Sequence, residues 1–497
     1  MRVRLMFLDR AVPVDLRPPA GSRAVVEDLG LAAIISAMAG DDVFLSDVAV
    51  AGLLSSVTDP QVLRHRQDAL ADTVADVRTV ERLYALATEA LDALHRHMFV
   101  GWGQQLPENS LYHSSTTLRE LLPILRELRT IAADRGGVFS SPAFTDLFAD
   151  IVRDLAEPAL VGVARCLDGL EQARDTRFAG RLGDGGAGVD YHRVELRRRS
   201  LRHRLRGASA VRFRVDPDDV EAAQELAAVE DRALRTIAST LLRSTTDLGE
   251  YFRALRWETG FYLAAARLVA ALRATGSPVC RPTVRAAPGF AARDLYDPGV
   301  ALCAGRRPVG NDVEVERSLI VVTGPNQGGK STFLRSVGAA QLLMQAGLCV
   351  PAASFESAVH GGVATHFRRR EDAGLTMGAL DEELARMDRI VDTLAPRSLL
   401  LCNESFQTTN ERAGAWIARN VLWALIEADH TVVCVTHLYE LAARLHQERA
   451  AQFLRAERTP DGARTLRVVP GAPHASSNGG ELFQQIFGES PDPDAAP

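Results

Sequence analysis

The chain has 497 residues and a formal net charge of -6. At ~100–200 residues per domain, that length suggests about three domains. Apolar residues make up 46% and charged residues 24%, which excludes wholesale disorder, and the acidic balance means that any nucleic-acid contact must come from a local basic patch. No run of eighteen apolar residues exists, so no membrane helix is expected. The opening residues have no long apolar core and do not read as a secretory leader. Cysteines 166, 280, 303, 349, 402 and 434 contain no C-x-x-C pair, which argues against a zinc site or disulfide framework and suits the reducing cytoplasm.

In chain order, residues 1–24 are expected to form an extended segment. Residues 25–272 carry helical periodicity: Leu29, Ile34, Ile35 and Met38 recur on one face, and so do Val62, Leu63, Leu70, Val74, Val77, Val80 and Leu83. Breaks are expected at Gly40-Asp41-Asp42 and at Thr58-Asp59-Pro60. Residues 180–188, with five glycines, read as a flexible break. A long helix is expected after the acidic cap Asp216-Pro217-Asp218-Asp219, ending near Gly276-Ser277-Pro278. The character changes near Cys280. Residues 282–284 and 300–303 read as short strands. Residues 318–323, 399–402 and 431–436 are continuous apolar, β-branched runs of the kind that form buried parallel strands. Helices are expected at 331–344, 380–394 and 413–428, so residues from about 283 onward read as an α/β domain.

One residue stands out by count. Lysine and arginine total 57, of which 56 are arginine and one is Lys330. A compact ammonium on a thin stem fits a tight phosphate cradle that a planar guanidinium cannot enter. Lys330 lies in Gly324-Pro325-Asn326-Gln327-Gly328-Gly329-Lys330-Ser331, which satisfies G-x-x-x-x-G-K-[ST] between a strand and a helix. Such a loop wraps phosphates in backbone amides at the positive end of a helix dipole. Lys330 would reach the β- and γ-phosphates of ATP, and the Ser331 hydroxyl would ligate Mg²⁺. After the strand at 399–402 comes Asn403-Glu404. Glu404 is the candidate general base or water positioner, and Asn403 occupies the place where an acid commonly orients Mg²⁺. His437 follows the strand at 431–435 into the ligand crevice of a parallel sheet.

These elements resemble the ATPase domain of the MutS family of DNA mismatch-repair proteins. The resemblance rests on the stretch from Thr323 through Thr332 with its Pro-Asn, on Thr436-His437-Leu438-Tyr439-Glu440-Leu441, and on Asn403-Glu404 followed by Thr408-Thr409-Asn410 and Gly414. Glu383-Leu384 and Arg64-x-Arg66-Gln67 carry it further. It implies an α plus α/β multidomain fold, with a long-helix core, lever and clamp region followed by a P-loop, ABC-like ATPase domain on a mostly parallel sheet. The implied division is 1–24 extended; 25–280 helical core and lever, with a clamp-like insertion near 165–240; 281–488 ATPase domain; and 489–497 disordered tail. It extends the phosphate-binding set to Thr332 and implies a homodimer with two ATP sites at the interface. The trans-acting signature is expected near Thr376. The chain departs from the family at Asn403, and the mismatch-reading and connector domains have no room in it.

Arginines dominate residues 193–214, and Arg197, Arg198, Arg199, Arg202 and Arg204 are the candidate contacts to double-stranded DNA, with a solvated helix face as the alternative. The expected function is a cytoplasmic, DNA-associated ATPase switching a clamp, in mismatch repair or a related DNA transaction. The alternative is a nucleotide-binding dimeric scaffold with little hydrolysis and no mismatch recognition.

Overall fold

The computed structural model describes residues 1–13, 16–98, 107–171, 178–182, 188–193, 220–325, 327–369, 378–459 and 463–473. Among these residues the architecture is mixed α/β, with fourteen helices and three sheets. The chain divides into two compact units, each discontinuous in sequence: residues 1–3, 81–139 and 144–256 form one, and residues 4–80, 140–143 and 257–497 form the other.

Four helices open the second unit: α1 (Ser22–Asp28), α2 (Ala32–Ala39), α3 (Val43–Leu54) and α4 (Pro60–Ala75). The sequence breaks between them are caps. Asp42 accepts a hydrogen bond from the Leu45 amide at 3.2 Å, and Asp59 accepts one from Gln61 at 2.8 Å, with Pro60 in the first turn. Those side chains satisfy amides that the first helical turn leaves without partners. The first unit holds most of α5 (Val77–Met98), α6 (Pro107–Arg135) and α7 (Pro142–Asp154), together with α8 (Glu157–Glu171). Leu83, Leu86, Ala87 and Ala90 of α5 are fully buried at helical spacing, as an amphipathic stripe requires. Here the expected flexible break at 180–188 is corrected. Its ends belong to an antiparallel hairpin of β1 (Phe178–Leu182) and β2 (Gly188–Arg193), paired from Phe178 with Arg193 to Leu182 with Gly188 and shifting register between Ala179 and Arg181. Helix α9 (Val220–Ala274) follows and stops just before Gly276, which has φ 76°.

The second unit continues with β3 (Thr283–Val284), β4 (Phe290–Leu295), α10 (Pro298–Ala304), β5 (Asn311–Val315), β6 (Leu319–Thr323), α11 (Lys330–Gln345), β7 (Ser354–Ser357), β8 (Val363–Phe367), α12 (Ala379–Thr393), β9 (Leu399–Asn403), α13 (Glu411–Glu427), β10 (Thr431–Val435), α14 (Tyr439–Gln447), β11 (Gln452–Arg458) and β12 (Arg464–Pro470). The strand expected at 300–303 is a helix instead. Asp297 caps it by accepting from Gly299 and Val300, Pro298 occupies its first turn, and Gly305 ends it in the left-handed region. A short apolar run is ambiguous by periodicity, and the caps decide it.

The larger sheet has the order β12-β11-β6-β10-β9-β8, parallel except for β12. Its middle strands β6 and β10 are buried at every position, which is why they read as unbroken apolar runs. Leu319, Val321, Leu400, Cys402, Val432 and Cys434 pack on Leu422, Leu425, Leu441 and Leu445, and each such side chain contributes about 1.5–3 kcal/mol of burial. In a second sheet, β3-β7-β4-β5, the strand expected at 282–284 is β3, while β4, β5 and β7 escape the sequence reading because they are short and expose alternate residues. None of the helices in the described residues is long and apolar enough to cross a membrane.

Candidate functional site

The carboxyl ends of β6, β9 and β10 converge because the three strands are parallel and paired in register. Each then delivers one functional segment to the same end of the sheet. After β6 the chain enters the loop at Gly324 with φ 125°, passes Gln327 with φ 60°, and reaches Gly329 with φ 87° at the N-cap of α11. Space as well as conformation requires these glycines: a Cβ at Gly328 would lie 2.8 Å from the Ala456 Cβ, and one at Gly329 would lie 2.9 Å from the Leu466 carbonyl oxygen. Residues of β11 and β12 therefore brace the outer side of the loop, and Arg464 donates to the Gln327 side chain at 2.6 Å.

Lys330 opens α11 and is only 4% exposed. Its ammonium donates to the Gly324 and Pro325 carbonyls at 2.9 and 2.8 Å, and among the described residues it forms no ion pair. Burial pushes it down to about 8, against the opposing pull of Glu404. A buried cation held by two neutral carbonyls is under-compensated, and an incoming phosphate would correct that. The Thr323 hydroxyl, at the end of β6, is also buried without a partner among the described residues. The cradle therefore fits a phosphate chain. Ser331 donates to Asn403 Oδ1 at 3.1 Å, so the two candidate Mg²⁺ ligands meet across the strands. They are oxygen donors suited to Mg²⁺, and both are neutral, which makes for a weaker grip than a carboxylate provides.

Glu404 follows β9 in the left-handed region, at φ 58°. Its amide donates to Val435 at 2.9 Å, and its Oε1 lies 3.3 Å from His437 Nε2. Contact with the His437 ring holds the carboxyl below the usual carboxylate range, with Lys330 and Arg368 adding favourable charge. An ionised carboxylate beside a ring nitrogen, across from a phosphate cradle, can orient a water and accept its proton.

Of the expected site residues, Gly324, Pro325, Gln327, Gly328, Gly329, Lys330, Ser331, Thr332, Asn403, Glu404 and His437 all lie at this end of the sheet. Asn326, Thr376, the arginines 197, 198, 199, 202 and 204, and the tail lie outside the described residues. Sequence reasoning missed Arg368, which follows β8 and donates its amide to Asn403 at 2.9 Å. The pair Gly361-Gly362 before Val363-Ala-Thr-His-Phe367 is the signal that marks β8. A separate cleft of about 850 Å³ lies near the opposite ends of these strands, lined by Arg64, Arg281, Arg285, Arg397 and Asp429, and is remote from the loop.

Comparison with known proteins finds similarity to segments of MutS and MutS2 proteins. A family model described as the MutS2 N-terminal domain matches residues 58–275, and one described as MutS domain V matches residues 320–477. The DNA mismatch repair protein MutS of Thermus thermophilus is 32% identical over 202 residues, covering 39% of this chain and 25% of that protein. MutS of Natronomonas pharaonis is 30% identical over 283 residues, covering 52% of this chain and 31% of its own length. Endonuclease MutS2 of Listeria monocytogenes is 30% identical over 196 residues, covering 36% and 25%. The chain thus spans about a quarter to a third of the length of these curated relatives.

Proposed function

From the premise that this chain is a divergent member of the MutS family, we propose that it is a DNA-associated ATPase acting as a homodimer. Residues 324–332 hold ATP, with Lys330 at the β- and γ-phosphates. Ser331 and Asn403 hold Mg²⁺, which when bound neutralises charge on the phosphates. Glu404 orients the attacking water, and His437 keeps that carboxylate ionised and in place. Nucleotide binding closes a clamp on double-stranded DNA and hydrolysis reopens it, in mismatch repair or a related DNA transaction.

The observation that carries this reading is the meeting of Lys330, Ser331, Asn403, Glu404 and His437 at one end of one parallel sheet. A second reading, a nucleotide-binding dimeric scaffold with little hydrolysis, draws on the neutral Asn403 partnering Ser331. ATP turnover by the purified protein separates the two. Turnover that Glu404→Ala abolishes supports the switch enzyme, and tight nucleotide binding with turnover at background supports the scaffold. Filter binding of homoduplex and mismatched DNA across a salt series tests the DNA limb; no salt-sensitive binding to either duplex removes it.

A further inference from the structure

Glu404 sits in a backbone conformation that non-glycine residues rarely adopt, and so does Phe406, at φ 62°. Two left-handed residues in a three-residue stretch persist only when their surroundings hold them. The surroundings here are specific. Phe406 is 2% exposed and its ring stacks on that of His366, with centroids 5.4 Å apart and planes at 27°. Helix α13 opens with Gly414 facing the turn, where a Cβ would collide with the Phe406 carbonyl. His366 is fully buried on β8, opposite Cys402 of β9.

The polar contacts of this imidazole join two elements. Its Nδ1 lies 2.7 Å from Ser405 Oγ, and the same Oγ lies 3.0 Å from the His366 carbonyl. A serine has one hydrogen to give. If it goes to the carbonyl, Nδ1–H donates to Oγ and Nε2 accepts; if it goes to Nδ1, Nε2–H donates to the Glu383 carbonyl, 3.2 Å away on α12. Arg386 Nη2, on α12, stands 3.2 Å from Nε2 and 2.6 Å from the Phe367 carbonyl, with one hydrogen for each. In either tautomer Nε2 meets α12, through the Arg386 guanidinium or through the Glu383 carbonyl. Burial and the neighbouring Arg386 hold this imidazole down to about 3, so the ring stays neutral, with one nitrogen on the turn and the other on the helix. A second link from the same helix lies alongside: Glu383, 6% exposed, accepts from the Thr408 hydroxyl at 2.8 Å.

We propose that His366 and Ser405 are positioning residues for the Glu404 carboxylate, joining Arg386 and Glu383 of α12 to the left-handed turn at 404–408. The ring bonds the turn through Nδ1 and α12 through Nε2, so a shift of α12 changes where Glu404 points. Residues 374–378, where the partner-facing signature is expected, lead directly into α12. The inference rests on the reading of Glu404 as the water-positioning group, and it assigns the path by which α12 controls that group.

Ser405→Ala, His366→Leu and His366→Asn test it, the asparagine restoring a hydrogen-bonding group near the place of Nδ1. The measurements are ATP turnover, the affinity of a fluorescent nucleotide, and amide hydrogen exchange across 404–408. Expected for Ser405→Ala and His366→Leu is a kcat lower by about tenfold or more, nucleotide affinity within about twofold of the parent, and faster exchange confined to 404–408. His366→Asn should recover most of both. Parent-like exchange in folded Ser405→Ala overturns the proposal, as does affinity falling in step with kcat. Glu404→Gln is the companion measurement. If it retains full turnover, the reading of Glu404 fails, and exchange across 404–408 still decides whether the link holds the turn.

Discussion

Helix α11 begins and ends on a buried cation, and the two ends are built differently. At its start, Lys330 rests on two loop carbonyls with Ser331 and Asn403 beside it. At its end, Arg66 is 1% exposed, donates to the Met6 and Ala346 carbonyls at 2.9 and 3.3 Å, and lies over the Phe7 and Phe261 rings. A Cβ at Gly347 would strike the Arg66 side chain, so the chain leaving α11 closes directly over it. Gln345, also fully buried, exchanges hydrogen bonds with the His360 backbone at 2.6 and 3.0 Å. The far end is thus an anchor packed against aromatic rings, while the near end rests on loop carbonyls that a phosphate can replace. A helix fixed at one end and open at the other holds its amide-rich terminus in register for a ligand without spending that terminus on internal contacts.

The contrast makes opposite predictions for the two cations. Arg66→Ala removes packing and leaves Glu258, which is fully buried, without its neighbouring positive charge. Denaturant titration should show a loss of about 4 kcal/mol, while the protein that remains folded binds nucleotide normally. Lys330→Ala should reverse this, weakening nucleotide affinity about 100-fold with stability unchanged or raised, since an under-compensated buried charge is gone. If both variants lose affinity alike, the division of labour between the ends is wrong.

A smaller effect concerns acid. Burial pushes His360 down to about 4, so it is neutral in the folded protein. The unfolded chain binds that proton near pH 6.5, and stability present above 6.5 is lost as pH falls toward 4. Between pH 6.5 and 4.5 the loss should be about 2 kcal/mol. His360→Asn should flatten that slope in urea titrations; an unchanged slope would place the acid sensitivity elsewhere.

Much of this site is legible in one dimension because its parts are contiguous. The loop at 324–332 is a local run between a buried strand and a helix, and the strands behind Glu404 and His437 are unbroken apolar stretches. The helix at 298–304 was misread because five or six apolar residues have no periodicity of their own, and its cap Asp297 lies just outside the run. The hairpin of β1 and β2 hid behind its glycines. Arg368 was overlooked because its strand, β8, is short and only half buried at its start.

Local residue order dictated the phosphate loop, the lone ammonium within it and the identity of the carboxylate, since each depends on neighbours a few positions away. Assembly of distant segments settled the rest: which arginine is an anchor, and why Glu404 and Phe406 can hold left-handed backbone. The first depends on Met6, Phe261 and Ala346 closing over Arg66, and the second on His366, Arg386 and Gly414 gathering around one turn from three different elements; contacts between such separated residues arise only when burial and hydrogen-bond satisfaction are met for the whole unit at once.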